Sequence, residues 1–362
     1  MKLCFIVNQM YKAGGIERTL YYRLRELSKF YDIVLITLEN DGKPFYFGDL
    51  KNVEHIDLNL NFERKANGGL KLSINNFTKT IFSFIKMQYV LFKIKPNFTI
   101  NVIGTHSFYF LPFLYYQGIL VLEHHASLYQ SPPAKLKKYI MNKFDHHIFL
   151  TKEESNLANF ITKKNVIPNP IENYNLSTIE YVNKKNRIVS AGRIVNVKGF
   201  ERLIKAWKII HTEFPDWSIE IYGEPDENVL NEIKQLITEL ELKNRVFIKA
   251  AIPNILEILN DSKIYAMTSH FECFPMVLLE AMSVGALVVA FDCPTGPRNI
   301  INNECGYLVE NGNLELFSES LKAAITNEKS SNLLTSNANK KSQDFLLDKI
   351  IDKWKTFFSE TY

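Results

Sequence analysis

The 362-residue chain is 46% apolar and 23% charged, the balance of a globular protein too long for one ordinary core. Its four cysteines (Cys4, Cys273, Cys293, Cys305) show no CxxC pair and no metal-ligand spacing, which argues against a disulfide scaffold and points to a reducing compartment. The net charge of +4 divides into +9 over residues 1–170 and −5 over the rest, so the first half is the one expected to meet something anionic.

The opening "MKLCFIVNQM" reads as a first β-strand, with too short an apolar run and too few charges for a signal peptide. No uncharged apolar run approaches the roughly 18 residues of a membrane span. A cytoplasmic protein, peripheral on the inner face of the membrane, is therefore expected. "IERTLYYRLRELSKF" has helical spacing, and "DIVLITL", "FTINVIG", "GILVLEH" and "HHIFLT" are apolar, β-rich runs. No Asp or Glu occurs between Glu63 and Glu123, a window holding Lys71, Lys79, Lys86, Lys93 and Lys95 among many aromatic and aliphatic residues. Within it, Lys79, Lys86 and Lys93 recur every seven residues beside Phe82, Ile85, Tyr89 and Phe92, a basic amphipathic helix suited to an anionic leaflet. "PAKLKKYIMNKF" would add a second basic patch. The competing reading is a helix packed on its own sheet with solvated lysines. No nucleic-acid-binding motif accompanies the charge.

"NVIPNPIENYN" (165–175) breaks both periodicities and marks the domain boundary. Beyond it the alternation is clean: "RIVSA", "WSIEIYG", "RVFIKA", "KIYAMTS" and "ALVVAFD" are strands, separated by helical stretches such as "FERLIKAWKIIHTEF" and "PMVLLEAMSVG". Such alternation predicts right-handed βαβ units and a doubly wound parallel sheet. "SQDFLLDKIIDKWKTFFSETY" is helical by spacing.

"HFECFPMVLLEAMSVGALVVA" (270–290) sets Glu272 and Glu280 into one of the most apolar stretches of the chain. Buried carboxylates need partners. Glu272 falls in the loop at the carboxyl end of a strand, where open α/β sheets bind ligands, and Glu280 lies about one and a half turns into the next helix. Backbone N–H groups around Pro275, Met276 and Val277 would be donors for an anion. Carboxylates beside amides suit a ligand carrying both hydroxyls and phosphates, such as a nucleotide sugar. Each glutamate alone reads equally well as a helix-dipole partner or a solvated side chain.

"ECFPMVLLE" followed by "AMSVGALVVA" closely resembles the donor site of the large retaining glycosyltransferase family 4. "GGIER" (14–18), "IPNPI" (167–171) and "SAGRIVNVKGFERLIKAW" (190–207) extend the resemblance over nearly the whole chain. The resemblance implies the GT-B fold, an α/β architecture of two Rossmann-like domains facing across a cleft, with a C-terminal helix crossing back to the N-domain. The domains would be 1–168 (acceptor-binding), 169–340 (nucleotide-sugar-binding) and the helix 341–362. It further implies that Glu272 holds the donor sugar's hydroxyls and Glu280 the ribose hydroxyls. Arg193 and Lys198 would grip the diphosphate, and Gly15 would let backbone approach it from the other domain. "LEHHASLYQ" carries the family's N-domain histidine, aligned to His124 with His125 as the alternative.

No Asp-any-Asp triplet occurs, so no metal or other cofactor is expected, in keeping with the family's metal-independent chemistry. Arg193, Lys198 and helix N-terminal amides would then neutralise the leaving group. The resemblance implies retention at the anomeric carbon and domain closure over the donor. "FDCPTGPRNII" is similar to bacterial members that use UDP-sugars in capsule, O-antigen or lipid-linked glycan synthesis, the Thr295–Gly296 turn bordering the sugar pocket. Arg298–Asn299 stands where many relatives carry Ser-Glu. The expected reaction moves a hexose or N-acetylhexosamine from a UDP-sugar to a polyprenyl-diphosphate-linked glycan. A sugar-nucleotide epimerase and a non-catalytic nucleotide-sugar-binding module are the alternatives.

Overall fold

The computed structural model describes residues 1–60, 70–102, 105–130, 132–174 and 179–362, without the side chains of 70–78 and 106. The Lys71 side chain and Asn175, both singled out above, lie outside this set. The chain forms two compact units, Met1–Pro170 with Leu347–Tyr362, and Ile171–Leu346.

In the first unit β1 (Lys2–Val7), α1 (Gly15–Leu27), β2 (Asp32–Thr37), β3 (Val53–Asp57), α2 (Leu70–Ile94), β4 (Phe98–Val102), β5 (Ile119–His124), α3 (Lys135–Met141), β6 (His146–Phe149), α4 (Lys152–Leu157) and β7 (Lys164–Val166) build a parallel sheet in the order β3-β2-β1-β4-β5-β6-β7. Strand alternation sends Cys4 and Ile6 to one face and Leu3, Phe5 and Val7 to the other. The first face is covered by Met87 and Leu91 of α2, the 108–114 segment and Ile140 and Met141 of α3. Covering the second are Leu20, Leu24 and Leu27 of α1 and residues from the last helix of the chain.

The second unit runs β8 (Lys185–Ala191), α5 (Phe200–Ile210), β9 (Ser218–Tyr222), α6 (Glu227–Glu239), β10 (Val246–Lys249), α7 (Ile255–Asn260), β11 (Ser262–Met267), α8 (Met276–Ser283), β12 (Leu287–Phe291), β13 (Tyr307–Val309), α9 (Leu314–Thr326) and α10 (Glu328–Ser342). Its sheet is ordered β10-β9-β8-β11-β12-β13 and all pairings are parallel. Fully buried strands read as continuous apolar runs, which is why "ALVVAFD" shows no alternation: Leu287 to Phe291 are all 0% exposed.

α11 (Leu347–Thr361) then returns to the first unit, seating Trp354, Phe357 and Phe358 beneath Phe98. The crossings fall at Pro170/Ile171 and Leu346/Leu347, against 168/169 and 340/341 from the sequence. The second difference arises because α10 continues to Ser342 and a short turn at Gln343–Phe345 precedes α11. No helix among the described residues is long and apolar enough to cross a membrane.

The expected lysine stripe of α2 divides. Lys93 is exposed, but the Lys86 ammonium donates to the Leu58 carbonyl at 2.8 Å and so ties the helix to the end of β3. Ser83, Met87 and Leu91, four residues apart, form the buried side. The packed-helix reading thus holds for one side of α2, while the other side carries exposed apolar residues.

Candidate active site

Strand order in the second sheet reverses between β8 and β11: the strands after β8 stack to one side and those after β11 to the other. Loops leaving two such strands diverge and open a crevice, the place where doubly wound sheets hold ligands. Lys198 comes from the loop after β8 and Glu272 from the loop after β11. They meet there, with Lys198 Nζ 2.7 Å from Glu272 Oε1. Ser269 Oγ donates to the same oxygen at 2.8 Å, and no described residue donates to Oε2.

The backbone around this pair is closely knit. Glu272 N donates to the Pro294 carbonyl and Thr295 N to the Glu272 carbonyl, both at 2.7 Å, and so join the loops after β11 and β12. Gly199 has φ +60°, and a Cβ there would stand 2.2 Å from the Thr268 carbonyl oxygen. Only glycine permits this approach, and Thr268 Oγ1 returns a hydrogen bond to the Gly199 carbonyl. "VKGF" therefore places Lys198 by pinning the next residue against β11.

Arg193 is exposed on the same loop as Lys198. Pro275 caps α8, Met276 and Val277 form its first turn, and Glu280 is 0% exposed on that helix. Pro275 itself has no N–H, so the donors of this turn begin with Met276. Burial first, then the charges of Glu272 and Glu280, push the Tyr265 phenol far above its ordinary range, so both carboxylates act on one buried hydroxyl. Cys293 is pushed up to about 12, by burial and then by Glu272, and is an inert thiol.

In the first unit the order reverses between β1 and β4, and "AGGIER" leaves β1. A Cβ on Gly14 would stand 1.9 Å from Glu17 Oε2, whereas one on Gly15 would meet nothing within 4 Å. The obstacle at Gly14 is the movable end of the Glu17 side chain, and the space at Gly15 is open. Burial raises the Glu17 carboxyl, and hydrogen bonds and nearby Lys12 and His125 oppose the shift.

Strand alternation separates the two candidate histidines. His124 turns into the core under α3: its ring stacks on Phe149 at 4.2 Å and its Nε2 lies 3.0 Å from His147 Nδ1. His147 Nε2 reaches the Met141 carbonyl at 3.0 Å, so its Nδ1 must accept and His124 Nε2 must donate. Burial keeps both rings neutral, His147 falling to about 4 and His124 well below its ordinary value. His125 points to the other side, where Glu17 feels its charge and its Nε2 lies 2.9 Å from Glu123 Oε1. The neighbour of the glycine loop is therefore His125, the alternative in the sequence, and not His124. Replacing His125 with Asn is expected to lower transfer roughly tenfold, the effect of one hydrogen bond, with little change in Tm. His124→Asn should act on stability first. Steady-state rates and thermal melts of both variants check this, and the opposite pattern returns the role to His124.

Behind His125 stands a charged pair the sequence did not single out. Arg23 forks onto Glu123 with contacts of 2.5 and 2.7 Å, and both side chains are at most 4% exposed. The guanidinium lies 4.5 Å from the Trp354 ring of α11 and 5.4 Å from Phe5. A signal was available: "GILVLEHH" buries a carboxylate in an apolar run just as "HFECFP" does.

Residues 178–341, nearly all of the second unit, match the family model described as "Glycosyl transferases group 1". The chain is a glycosyltransferase of GT-B fold, and its second unit is what matches that family. The match covers the loops carrying Arg193, Lys198 and Glu272 and the helix carrying Glu280. Among curated proteins this glycosyltransferase is 26% identical over 368 residues to the amylovoran biosynthesis glycosyltransferase AmsD of Erwinia amylovora, covering 98% of each chain. It is 30% identical over 162 residues, 44% of this chain and 43% of the relative, to the Campylobacter jejuni N-acetylgalactosamine-N,N'-diacetylbacillosaminyl-diphospho-undecaprenol 4-alpha-N-acetylgalactosaminyltransferase. Its fold is similar to that of S. aureus TarM, solved with UDP and alpha-GlcNAc-glycerol, with a TM-score of 0.79, 16% identity and 99% of both chains covered.

Proposed function

We propose that this glycosyltransferase moves a hexose or N-acetylhexosamine from a UDP-sugar, with retention and without a metal, onto a glycan carried on a polyprenyl diphosphate. The observation that carries the reading is the Lys198–Glu272 pair at the switch point of the second sheet. An ammonium for a diphosphate and a carboxylate for sugar hydroxyls stand 2.7 Å apart, on loops held by backbone hydrogen bonds. In this reading Arg193 and Lys198 take the charge of the departing UDP, Glu272 Oε2 accepts from the sugar, and Glu280 accepts from the ribose. The C. jejuni relative, whose name specifies a diphospho-undecaprenol acceptor, supports the lipid-linked acceptor. UDP in the TarM structure supports the donor.

Calorimetry with UDP- and GDP-sugars, followed by turnover with lipid-linked acceptors in EDTA, tests the reading. UDP-sugar binding and EDTA-resistant transfer to an α-linked product are expected. A GDP preference would overturn the donor, loss of turnover in EDTA the metal-independence, and epimerised UDP-sugar formed without acceptor the reaction class.

A further inference from the structure

We propose that the outer side of α2, together with the 109–116 segment, is a seat for the headgroup–acyl boundary of an anionic bilayer; the choice of occupant rests on the lipid-linked acceptor proposed above. A helix that is apolar all round is normally buried all round. α2 is not: opposite Ser83, Met87 and Leu91 stand Phe82, Ile85, Tyr89 and Phe92, which are 48–61% exposed. The neighbouring segment extends this face. Gln88 accepts from Tyr115 N at 2.9 Å and donates to the Tyr115 carbonyl at 3.1 Å, and Phe92 meets Tyr116 edge-on at 5.2 Å. Tyr115 is 75% and Tyr116 51% exposed. These are large rings that the fold holds outward and does not bury.

The charge around them selects the occupant. Lys93 Nζ lies 5.4 Å from the Tyr89 ring, and Lys95 Nζ lies 5.6 and 5.9 Å from Phe92 and Tyr116. Ammonium groups carried over aromatic faces, with phenols beside them, match a boundary that is apolar on one side and wet and anionic on the other. α3, which packs under the same core layer, adds Lys135, Lys137 and Lys138. The stretch that carries Lys93 and Lys95 holds no acidic residue between Glu63 and Glu123 in the sequence. A second copy of the chain would bring lysines onto lysines across a two-fold interface, which disfavours it.

The test uses the full chain and sedimentation with phosphatidylethanolamine–phosphatidylglycerol vesicles, and with phosphatidylcholine vesicles as the uncharged control. Wild type is expected to bind the anionic vesicles, more weakly as salt rises. Tyr115→Ser/Tyr116→Ser is expected to reduce that binding about tenfold, and Lys93→Gln/Lys95→Gln to remove most of its salt dependence. Both variants should keep wild-type affinity for UDP, since none of these residues belongs to the donor site. Absence of wild-type binding, or binding unchanged in the tyrosine variant, overturns the proposal. So does a concentration-dependent dimer that the same substitutions abolish. No donor or acceptor enters the vesicle measurement, so failure here and failure of the UDP-sugar reading are separate results.

Discussion

Glu272→Gln is expected to lower kcat/KM for sugar transfer about a hundredfold while leaving the affinity for UDP nearly unchanged. Glutamine keeps the shape and can still bridge to Thr295 through its backbone, because those contacts involve only the main-chain N–H and carbonyl. What it loses is the charge. Hydrogen bonds to an ionised acceptor contribute about 1.5–3 kcal/mol, and 1.4 kcal/mol is a factor of ten in rate. UDP lacks the sugar hydroxyls, so its binding should register the change only through Lys198, which loses its partner at 2.7 Å. Adding Lys198→Met is expected to give less than the sum of the two single effects, because the residues share one contact. Calorimetry with UDP and UDP-sugar, beside initial rates, separates the cases. Wild-type kcat/KM in Glu272→Gln would remove the carboxylate from the reading.

The second large effect is on stability. Arg23→Met is expected to destabilise the first unit by about 3–5 kcal/mol, the usual consequence of removing one member of a buried ion pair, with His125 the partner still beside Glu123. Burial by itself would raise the Glu123 carboxyl; Arg23 and then His125 more than offset this and hold it well below the ordinary carboxylate range. A depressed folded-state value means that this stabilisation is fully present above the unfolded-state value and is lost as pH falls from there through the low folded-state value. In the variant the sign reverses. Burial dominates, the carboxyl rises above its unfolded value, and the penalty is relieved as acid protonates it. The difference in Tm between wild type and Arg23→Met should therefore narrow from pH 7 toward pH 5. Arg23→Met/Glu123→Leu, with no orphaned charge, should recover much of the loss. A Tm difference that does not vary with pH would mean that packing against Trp354, and not charge, is what Arg23 contributes.

Much of the architecture was legible in the chain because its physical causes are local. Strands such as "ALVVAFD" announce themselves by β-branched, apolar runs, and α5 by one wet and one dry side. The glutamates of "ECFPMVLLE" were conspicuous for the same reason: a carboxylate in an apolar run must be paired or must bind something. The family resemblance of "SAGRIVNVKGFERLIKAW" pointed to Lys198, but not to its partner. The contact with Glu272 spans 74 residues and exists only because parallel pairing sets β8 beside β11.

Tertiary structure alone decided three further matters, each through geometry that a one-dimensional pattern does not contain. His124 and His125 are equivalent in "LEHH", and only the strand's two-residue alternation against a known core sends the first under α3 and the second toward the glycine loop. Arg23 finds Glu123 across 100 residues because α1 and β5 converge on one face of the sheet, where α11 closes over them. The seven-residue lysine repeat of α2 looked like one basic stripe, yet Lys86 is drawn inward by the Leu58 carbonyl while Lys93 stays outside.

Underlying all of this is one electrostatic arrangement, an ammonium and a carboxylate brought side by side where a parallel sheet splits; in the proposed reading they exchange each other for phosphate and sugar. Should UDP-sugar bind equally well after both are neutralised, that arrangement is merely a strut of the fold.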